Sequence, residues 1–385
     1  MIIHASGAVR PLRYPSGVCG WFMLGLFLTA CSGPPATAPR VGRAAHLKAP
    51  TQSVASIPLW AVGDILLGDK AQSYLDREGY DYQFRRLTGL IPPDDLLMGN
   101  LEGTITYLTE PIDSDKEYVY RMDVRATAAL KDYGFDVLDL ANNHALDYGI
   151  PGWRETVKAL DRVGIGRFGS GENIQAALEG IVVERGGLRI GFLGFMQPFE
   201  KYQSDYDWFA SPSRPGVAKM EDDLMETAIR RLHERADLVV VNLHWGGNYK
   251  PVDSYQRKWG RRAVALGADL VVGHHPHAAQ GVEVYQGVPI LYSVGNFTFG
   301  TPGRYKNADP LMEYSWAARC SIEGGRVAHV DLYPLSVNNR KTDFQPRRAE
   351  TAVLPGLIAF VQKDIETEAP LVIFEDHARV EIPAP

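Results

Sequence analysis

Short apolar runs that end in polar residues recur along this chain, and they restrict it to a small set of folds. The runs have the length and β-branched content of buried strands at 59–62, 96–98, 137–140, 181–184, 189–195, 238–243 and 270–273. Amphipathic helical patterns lie between them at 71–77, 124–133, 153–163, 221–235 and 255–266. Strands that alternate with helices in this way predict an α/β fold with parallel strands.

Polar signatures follow several of these runs directly. They are Gly63-Asp64, Asn100-Leu101-Glu102, Asn142-Asn143-His144, His244-Trp245-Gly246 and His274-His275-Pro276-His277. In open α/β sheets the loops beyond the carboxyl ends of the strands converge on one crevice. Carboxylates, a carboxamide and imidazoles are the ligand types that hold divalent metals, so the signatures predict one polar, metal-type site.

The character of the chain changes after Gly273. Closely spaced strand patterns follow at 281–285, 289–294, 316–322 and 326–334, with a Gly-containing turn at 323–325. These strands predict a second, antiparallel-rich sheet. A helical pattern at 354–366 and short apolar segments at 371–374 and 380–382 indicate a tail, 336–385, that packs on the same domain.

Charge and composition exclude some classes of function. The chain has 385 residues, 45% of them hydrophobic, and a formal net charge of −6. Residues 1–30 contain two arginines and no acidic residue, so loss of this segment makes the chain more negative still. A net negative charge argues against a general nucleic-acid binder and against a polybasic membrane patch.

The N-terminus has the pattern of an export signal. Arg10 and Arg13 precede an apolar stretch at 18–28 that is shorter than the roughly 20 residues needed to span a bilayer. Leu28-Thr29-Ala30-Cys31 follows, and it resembles the bacterial lipobox, in which the cysteine is lipidated and becomes the mature N-terminus. We therefore expect a signal peptide at 1–30, a lipidated Cys31 and a flexible, Pro- and Ala-rich tether at 31–57.

Cysteine usage agrees with this interpretation. Cys19 lies in the predicted signal peptide, and Cys31 would carry the lipid. Cys320 would then have no partner for an intramolecular disulfide in the mature chain. Cys320 lies in a predicted strand, where a lone cysteine is more often a small hydrophobic residue than a nucleophile.

Six motifs in order resemble the CapA-type poly-gamma-glutamate capsule-synthesis family. They extend from about residue 59 to 300 and centre on Gly63-Asp64, Asn100-Leu101-Glu102, Asn142-Asn143-His144, His244-Trp245-Gly246, His274-His275-Pro276-His277 and Ser293-Val294-Gly295-Asn296. That family is similar to the calcineurin-like metallophosphoesterases. The resemblance implies a metallophosphoesterase-like α/β/β/α sandwich, two mixed sheets flanked by helices, over residues 58–335.

The same resemblance implies roles for individual residues. The metal ligands would be Asp64, Glu102, Asn143, His244, His275 and His277. His144 would face the leaving group, and Asp147 would orient its imidazole. Two departures from the phosphoesterase pattern leave both one and two metal ions open, since Leu66 replaces a histidine and Glu102 replaces a bridging aspartate.

The ligand mixture itself favours certain metals. Hard carboxylate oxygens, an amide oxygen and imidazole nitrogens suit Mn, Zn or Fe more than Ca or Mg. His275 and His277 flank a proline that favours an extended chain, in which alternate residues face the same way. On that argument His274 points elsewhere, and it is left out of the predicted site.

Each of these residues also has a structural interpretation. Asp64 and Asn143 could cap a turn or a helix, and Glu102 could pair with an arginine. Arg121 resembles a basic family position that would grip a carboxylate or phosphate, with a surface salt bridge as the alternative. Asn296 would help to bind substrate, or would only take a left-handed backbone conformation.

Two classes of function remain open. The first is a membrane-tethered, metal-dependent hydrolase or transferase acting on a phosphate, amide or peptide-type bond in the cell envelope. The second is an accessory protein that binds an anionic poly-gamma-glutamate-like polymer or its precursor during export, beside other membrane proteins of capsule synthesis. Because the chain is acidic, polymer binding requires a local basic groove, which we expect around Arg121, Lys250, Arg257 and Lys258. A phosphoesterase fold that keeps the site only as structure is a third interpretation.

Overall fold

Two mixed β-sheets form the centre of the structure, a computed structural model that describes residues 56–305, 308–363 and 365–383. The predicted signal peptide, Cys31 and almost all of the predicted tether lie outside the described residues. The described residues all belong to one compact unit. None of their helices is both long enough and apolar enough to cross a membrane.

The strands and helices lie where the apolar periodicity predicts them, apart from shifts of a few residues at their ends. In the first half of the chain the strands are β1 (Ile57–Leu66), β2 (Leu96–Leu101), β3 (Thr104–Ile105), β4 (Arg121–Met122), β5 (Val137–Asp139), β6 (Gly166–Phe168), β7 (Ser170–Gly171), β8 (Ile181–Arg185) and β9 (Leu188–Met196). In the second half they are β10 (Gly216–Val217), β11 (Leu238–His244), β12 (Leu270–His274), β13 (Val282–Tyr285), β14 (Val288–Leu291), β15 (Asn296–Phe299), β16 (Tyr314–Glu323), β17 (Arg326–Ser336), β18 (Arg347–Arg348), β19 (Leu371–Ile373) and β20 (Ala378–Glu381). The α-helices are α1 (Gln72–Glu78), α2 (Ala126–Tyr133), α3 (Gly149–Val163), α4 (Ile174–Ala177), α5 (Glu200–Ser204), α6 (Asp222–His233), α7 (Ser254–Ala265), α8 (Asn339–Thr342) and α9 (Leu354–Gln362). Short 3₁₀ helices lie at Asp69–Ala71, Tyr82–Leu87, Pro310–Glu313 and Thr351–Val353.

The two large sheets each combine a parallel core with antiparallel strands. Within the described residues, sheet 1 has the order β19-β20-β17-β16-β1-β2-β5-β6, with β15 beside β1 and β18 beside β17. Its strands β1, β2, β5 and β6 are parallel. Sheet 2 has the order β13-β14-β12-β11-β9-β8, and its strands β9, β11, β12 and β14 are parallel.

The strands after Gly273 do not form a sheet of their own, and the prediction of a separate antiparallel-rich sheet was wrong. Strands β13 and β14 extend sheet 2, whereas β15, β16, β17 and β20 join sheet 1 around β1. Periodicity shows that a segment is a strand, but the partner of that strand depends on long-range packing. The limits of the domain and its tail stay a prediction, although β20 of the tail pairs with β17.

The sheets pack face to face and helices cover their outer faces. Leu59 of sheet 1 and Leu238 of sheet 2 belong to the same buried apolar cluster between the sheets. Leu97 of sheet 1 packs outward in a cluster that includes α2 and α3, and Val239 of sheet 2 packs outward against α6 and α7. Burial on both faces explains the near-continuous apolar runs of the parallel strands. The predicted α/β/β/α sandwich is confirmed.

Cys320 lies fully buried in β16 and is a free cysteine. Burial raises the pKa of its thiol to about 12. The thiolate is therefore disfavoured, in agreement with the prediction that this residue packs as a small hydrophobic side chain.

The helices that cover sheet 2 show how local sequence patterns determine where a helix begins and which of its faces is buried. On α6, Met225, Ala228, Ile229 and Leu232 are buried at the spacing of one helical face. On α7, Asp253 accepts the backbone N–H of Gln256 and the Gln256 side chain accepts the backbone N–H of Asp253, which completes a capping box. These caps and faces fix the helices against the strands whose ends carry the polar signatures.

Gly63 is required where β1 passes close to the chain after β14. A Cβ atom at position 63 would lie 1.8 Å from the carbonyl oxygen of Gly295. The next residue, Asp64, donates its backbone N–H to the same oxygen at 2.9 Å. The glycine therefore allows the close approach that holds Asp64 in place.

We expect Gly63→Ala to lower the free energy of unfolding by about 1–3 kcal/mol, because an added methyl group in a packed interior forces the backbone apart. Urea denaturation would measure the change. Gly356→Ala is the matched control, because Gly356 is an exposed position of α9 and nothing lies within 4 Å of a Cβ atom placed there. Helix propensity predicts that this variant has equal or slightly higher stability. Unchanged stability of the Gly63 variant would show that β1 and Gly295 separate at no cost.

Candidate metal centre

The carboxyl ends of the parallel strands of both sheets meet at one end of the sandwich. Sheet 1 contributes Asp64 near the end of β1, Glu102 directly after β2, and the loop after β5. Sheet 2 contributes His244, the last residue of β11, and the loop after β12. The sheets join where Asn143 Oδ1 lies 2.6 Å from His244 Nε2. The polar signatures therefore share one site.

Asp64 is held by a relay of amides. Its Oδ1 accepts a hydrogen bond from Asn100 Nδ2 at 2.8 Å, and Asn100 Oδ1 accepts one from Asn142 Nδ2 at 2.9 Å. Asn142 Oδ1 in turn accepts the backbone N–H of His144. Neither Asn100 nor Asn142 was assigned a role from the sequence, although both lie inside the motifs. The relay fixes the orientation of the motifs relative to one another.

The Asp64 carboxylate also lies among imidazoles. His277 Nδ1 is 3.1 Å from its Oδ2, and His274 Nδ1 is 3.5 Å from its Oδ1. Burial alone would raise the pKa of Asp64, but the neighbouring imidazoles of His274 and His277 lower it well below its usual value. Asp64 is therefore the ionised carboxylate of the site.

Glu102 is the second buried carboxyl group, and it lacks partners. It is fully buried, and neither of its oxygens has a hydrogen-bond partner among the described residues. The structural interpretation, in which Glu102 pairs with an arginine, therefore finds no support among the described residues. Burial and the negative charge of Asp64 raise the pKa of Glu102 well above its usual value. A buried carboxyl group without a partner is unfavourable unless it is protonated or lies beside a cation.

Two histidines of the site, His244 and His275, are in the neutral form that binds metals. Burial lowers the pKa of His275 to about 3, and the charge of His277 adds to this effect. Burial and the neighbouring His275 lower the pKa of His244 well below its usual value. Neutral imidazole is the metal-binding form, so no proton must leave these two residues before a metal binds.

The loop after β12 brings its histidines together in an unexpected way. His275 and His277 both have positive φ angles, 93° and 58°, so the predicted extended chain was wrong. Their side chains nevertheless converge, with His275 Nδ1 at 3.1 Å from His244 Nε2 and His277 Nε2 at 3.8 Å from Glu102 Oε1. The expectation that His274 points away from the site was also wrong, because its Nδ1 lies 3.5 Å from Asp64 Oδ1, although His274 belongs to neither set of mutually close donor atoms. A positive φ angle is energetically unfavourable for a residue other than glycine, and backbone strain of this kind is found most often at functional sites.

His144 lies beside the cluster and is oriented by Asp147. His144 Nδ1 is 2.7 Å from Asp147 Oδ2, and His144 Nε2 is 3.9 Å from Glu102 Oε1. Asp147 also accepts hydrogen bonds from the Lys116 ammonium and from the backbone N–H of Tyr120. Because this carboxylate only accepts, Nδ1 of His144 carries the hydrogen and Nε2 faces the site. Burial lowers the pKa of His144 to about 4, against the charge of Asp147.

Lys116 is a residue that sequence analysis missed. Its ammonium is buried, donates to the carbonyl of Asn143 at 2.9 Å and lies over the rings of Tyr202 and Trp208. Burial lowers the pKa of Lys116, and the charge of Asp147 opposes this shift. Lys116 lies in the irregular segment between β3 and β4, where no periodicity marks its position.

A pocket of about 280 Å³ opens over the cluster. Its lining consists of Lys116, Glu117, Tyr118, Tyr120, Asn143, His144, Phe199, Lys201, Tyr202, Asn248, Tyr249, His275, His277, Phe299, Thr301 and Arg304. Three of these side chains are cationic, and six are tyrosine or phenylalanine. With its amide oriented to satisfy its neighbours, Asn248 donates to His275 Nε2 at 2.7 Å and accepts from Arg304.

The two predicted substrate-binding residues lie in different places. Asn296 Oδ1 is 2.9 Å from His277 Nδ1, directly behind the cluster, and it pairs in register with Asp64. Arg121 lies in β4, outside the pocket lining, and its guanidinium reaches the carbonyl of Leu108 at 3.5 Å. The roles proposed for Arg121 and Asn296 in substrate binding stay predictions.

The donor set fits a divalent metal. Ligand atoms of Asp64, Glu102 and His244 all lie within 4.8 Å of one another, and so do those of Glu102, His275 and His277. Glu102 belongs to both sets, and its orphaned oxygens together with Asp64 Oδ2 are the buried atoms that a cation would satisfy. The arrangement accommodates one ion, or two ions that share Glu102.

Comparisons with known proteins agree with the motifs. The family described as "Bacterial capsule synthesis protein PGA_cap" matches residues 58–301. The "PGA biosynthesis protein CapA" of Bacillus subtilis (strain 168) is 32% identical over 275 residues, which cover 71% of this chain and 71% of that protein. The "Capsule biosynthesis protein CapA" of Bacillus anthracis is 32% identical over 283 residues, 72% of this chain and 66% of that protein.

Similarity extends to more distant proteins. A "Probable polyglutamine synthesis accessory protein" of Mycobacterium tuberculosis is 34% identical over 263 residues, 64% of this chain and 67% of that protein. Among solved structures, a calcineurin-like phosphoesterase, YfkN from Bacillus subtilis, aligns over 81% of this chain and 98% of that one, with 14% identity and a TM-score of 0.44.

We expect the purified protein to contain close to stoichiometric Mn, Zn or Fe by elemental mass spectrometry. The double variant His275→Ala, His277→Ala should lose most of it, because it removes both imidazoles of one donor set. His233→Ala is the control, since His233 lies on α6 and contacts the carbonyl of Gly267. Absence of metal from all three proteins after incubation with Mn²⁺ or Zn²⁺ would contradict a metal centre.

Proposed function

The chain belongs to the bacterial capsule synthesis protein family PGA_cap, and we propose that it binds a segment of an anionic, poly-gamma-glutamate-type polymer beside a divalent metal. The names of these relatives connect them with synthesis of this polymer and of capsule. The observation that carries the proposal is the composition of the pocket, because three cationic side chains line it beside the buried carboxylate and histidine cluster.

The cations are suited to a chain of carboxylates. Lys116 lies at the base of the pocket, and Lys201 and Arg304 are exposed at its rim. The Arg304 guanidinium lies 5.2 Å from the ring of Tyr118 and 5.7 Å from that of Tyr249, and it donates a hydrogen bond to Asn248. A guanidinium has several N–H groups, so those that do not contact Asn248 are available to bind a carboxylate. The groove predicted around Lys250, Arg257 and Lys258 does not line this pocket. The acidic chain thus carries a local positive surface at the site.

In this proposal Asp64, Glu102, Asn143, His244, His275 and His277 hold the metal. A bound divalent ion supplies a Lewis acid that polarises a carbonyl or phosphoryl oxygen and lowers the pKa of water. His144 presents Nε2 to the same space, and the ionised Asp147 stabilises its protonated form. Lys116 in turn donates a hydrogen bond to Asp147. Lys116, Asp147 and His144 therefore together determine where one proton lies beside the cluster.

A second candidate function follows from that His144 arrangement. We propose as the alternative that the protein is a metal-dependent hydrolase or transferase of an amide or phosphoester bond in the polymer or its precursor. The accessory function requires only the pocket and its cations, whereas catalysis also requires His144. Turnover of gamma-glutamyl peptides or phosphoesters that His144→Ala abolishes, with polymer binding retained, would select the enzyme.

We also propose that the protein works at the cell envelope. The signal pattern and the lipobox-like Leu28-Thr29-Ala30-Cys31 support an exported lipoprotein that is anchored on the extracytoplasmic face. The membrane, and other membrane proteins of capsule synthesis, would then be its partners.

We expect Arg304→Ala and Lys201→Ala each to weaken binding of a fluorescent gamma-glutamate oligomer by about 10–100-fold, because each removes a charge-assisted hydrogen bond worth about 1.5–3 kcal/mol. Fluorescence anisotropy at fixed salt would measure the affinity. Lys258→Ala is the matched control, since its ammonium lies over Trp259 and outside the pocket lining. Weaker binding in the Lys258 variant alone would place the polymer elsewhere.

Anchoring has its own test. We expect Cys31→Ser to move the protein from the membrane fraction to the soluble fraction and to stop incorporation of a labelled fatty acid, because the serine cannot form the lipid thioether. Immunoblots of fractionated cells would show the change, and Cys320→Ser, a buried residue, is the control. Retention of the label in the Cys31 variant would contradict lipid attachment at this position.

A further inference from the structure

Beneath the metal centre, the space between the sheets holds a second layer of polar residues. On the inner faces of the strands, apolar residues give way to Asp139 at the end of β5, Asn242 in β11 and His274 at the end of β12. All three side chains are fully buried, and none lines the pocket. We define them as the second layer.

The second layer is not explained by the stability of the fold. Asp139 Oδ2, both amide atoms of Asn242 and both ring nitrogens of His274 lack a hydrogen-bond partner within the described part of the chain. A buried polar atom without a partner costs about 1–3 kcal/mol. Three such residues in contact with an apolar core are therefore expected to serve a purpose other than stability.

The carboxyl group of Asp139 occupies a space that the opposite sheet leaves for it. A Cβ atom on Gly194 of β9 would lie 2.1 Å from Asp139 Oδ1, and one on Gly169 would lie 2.4 Å from the same oxygen. That oxygen accepts the backbone N–H of Ala141 at 2.8 Å. Two glycines and a backbone donor thus orient a carboxyl group towards the interior.

Asn242 and His274 connect this carboxyl group to the metal centre. Asp139 on β5 pairs in register with Asn100, the residue that contacts Asp64, and Asn242 lies on β11 beside β12, the strand that ends in His274. Burial raises the pKa of Asp139 to about 7, and the neighbouring His274 and Asn242 oppose this shift. His274 Nδ1 lies 3.5 Å from Asp64 Oδ1, the oxygen that Asn100 also contacts. His274 therefore lies between the two buried carboxyl groups.

The position of His274 distinguishes it from the ligands. It belongs to neither set of mutually close donor atoms, which are Asp64, Glu102 and His244, and Glu102, His275 and His277. Its contact with Asp64 is to Oδ1, whereas Oδ2 accepts no hydrogen bond from the described residues, although His277 Nδ1 lies 3.1 Å from it. An imidazole in this position contacts a ligand and leaves the metal-facing atom free.

We propose that His274, supported by Asn242 and Asp139, is a positioning residue that fixes the Asp64 carboxylate for the metal. The proposal rests on the metal centre of the proposed function. Partners of this kind restrict a ligand to one orientation, so that less freedom is lost when the ion binds, and their removal weakens metal affinity by about 10–100-fold. The role is distinct from ligation, because the number of bound ions does not depend on it.

The first test compares His274→Asn with the unmodified full-length protein. Affinity for Mn²⁺ and Zn²⁺ would be measured by competition with a chromophoric chelator, and the visible spectrum would be recorded with Co²⁺ bound. We expect affinity to fall about 10–100-fold, with the same number of ions bound and the Co²⁺ bands unchanged in class. Unchanged affinity would overturn the proposal. Loss of one bound ion, or a spectrum that has lost a nitrogen ligand, would also overturn it, by making His274 a ligand.

Asn242→Leu is the sharper variant, because it separates positioning from packing. Leucine has a shape similar to asparagine and removes two unpartnered buried atoms, so we expect equal or higher stability of the metal-free protein in thermal denaturation. Metal affinity should nevertheless fall severalfold. Lower stability with unchanged metal affinity would show a structural role and would overturn the proposal.

Controls separate this inference from the proposed function. His233→Asn, on α6, should leave affinity and spectrum unchanged. If the unmodified protein binds no metal, the metal centre itself fails and the positioning role fails with it. If the unmodified protein binds metal and the second-layer variants bind it equally well, only the positioning role fails.

Discussion

Two buried carboxyl groups, Asp64 and Glu102, determine how the rest of this end of the sandwich is arranged. Two negative charges side by side in an apolar interior repel each other and lack water, so one of them must take a proton or both must face a cation. The surrounding histidines resolve the conflict for Asp64, whereas neither oxygen of Glu102 has a hydrogen-bond partner in the described residues. The fold therefore maintains a site whose negative charge a bound cation would balance, and the amide relay through Asn100 and Asn142 holds Asp64 in place.

The sandwich and the loops contribute different parts of the function. Strand ends supply the buried cluster, because parallel strands in both sheets stop at the same level and the sheets pack face to face. The cations of the pocket come from outside the large sheets, Lys116 and Arg304 from loops and Lys201 from α5. Lys116 joins the two parts, because it contacts the carbonyl of Asn143 and the carboxylate of Asp147. The strand framework thus positions the candidate metal ligands, and the segments outside the sheets form the surface that a ligand meets first.

Much of this could be predicted from the sequence, and the rest could not for physical reasons. Apolar runs that end in Asp64 or His244 predicted both the strands and the convergence of the signatures, because strand direction determines where such residues lie. The sequence could not show which sheet the strands after Gly273 would join, since pairing depends on distant partners. Proline between His275 and His277 suggested an extended chain, but tertiary contacts impose positive φ angles on both histidines. Lys116 was missed because irregular loops carry no periodicity.

Net charge was a poor guide to the pocket because charge acts locally. Many surface charges lie in ion pairs, such as Arg154 with Glu172 and Arg189 with Asp237. Because the two charges of a pair offset each other, such pairs contribute little to the electrostatic potential at a distance. Arg304, by contrast, lies over two aromatic rings, where its positive charge faces the pocket. A chain with a net charge of −6 can therefore present a cationic mouth over an acidic centre. An anionic polymer would experience the mouth first, because within a Debye length of about 8–10 Å the nearest charges dominate the field.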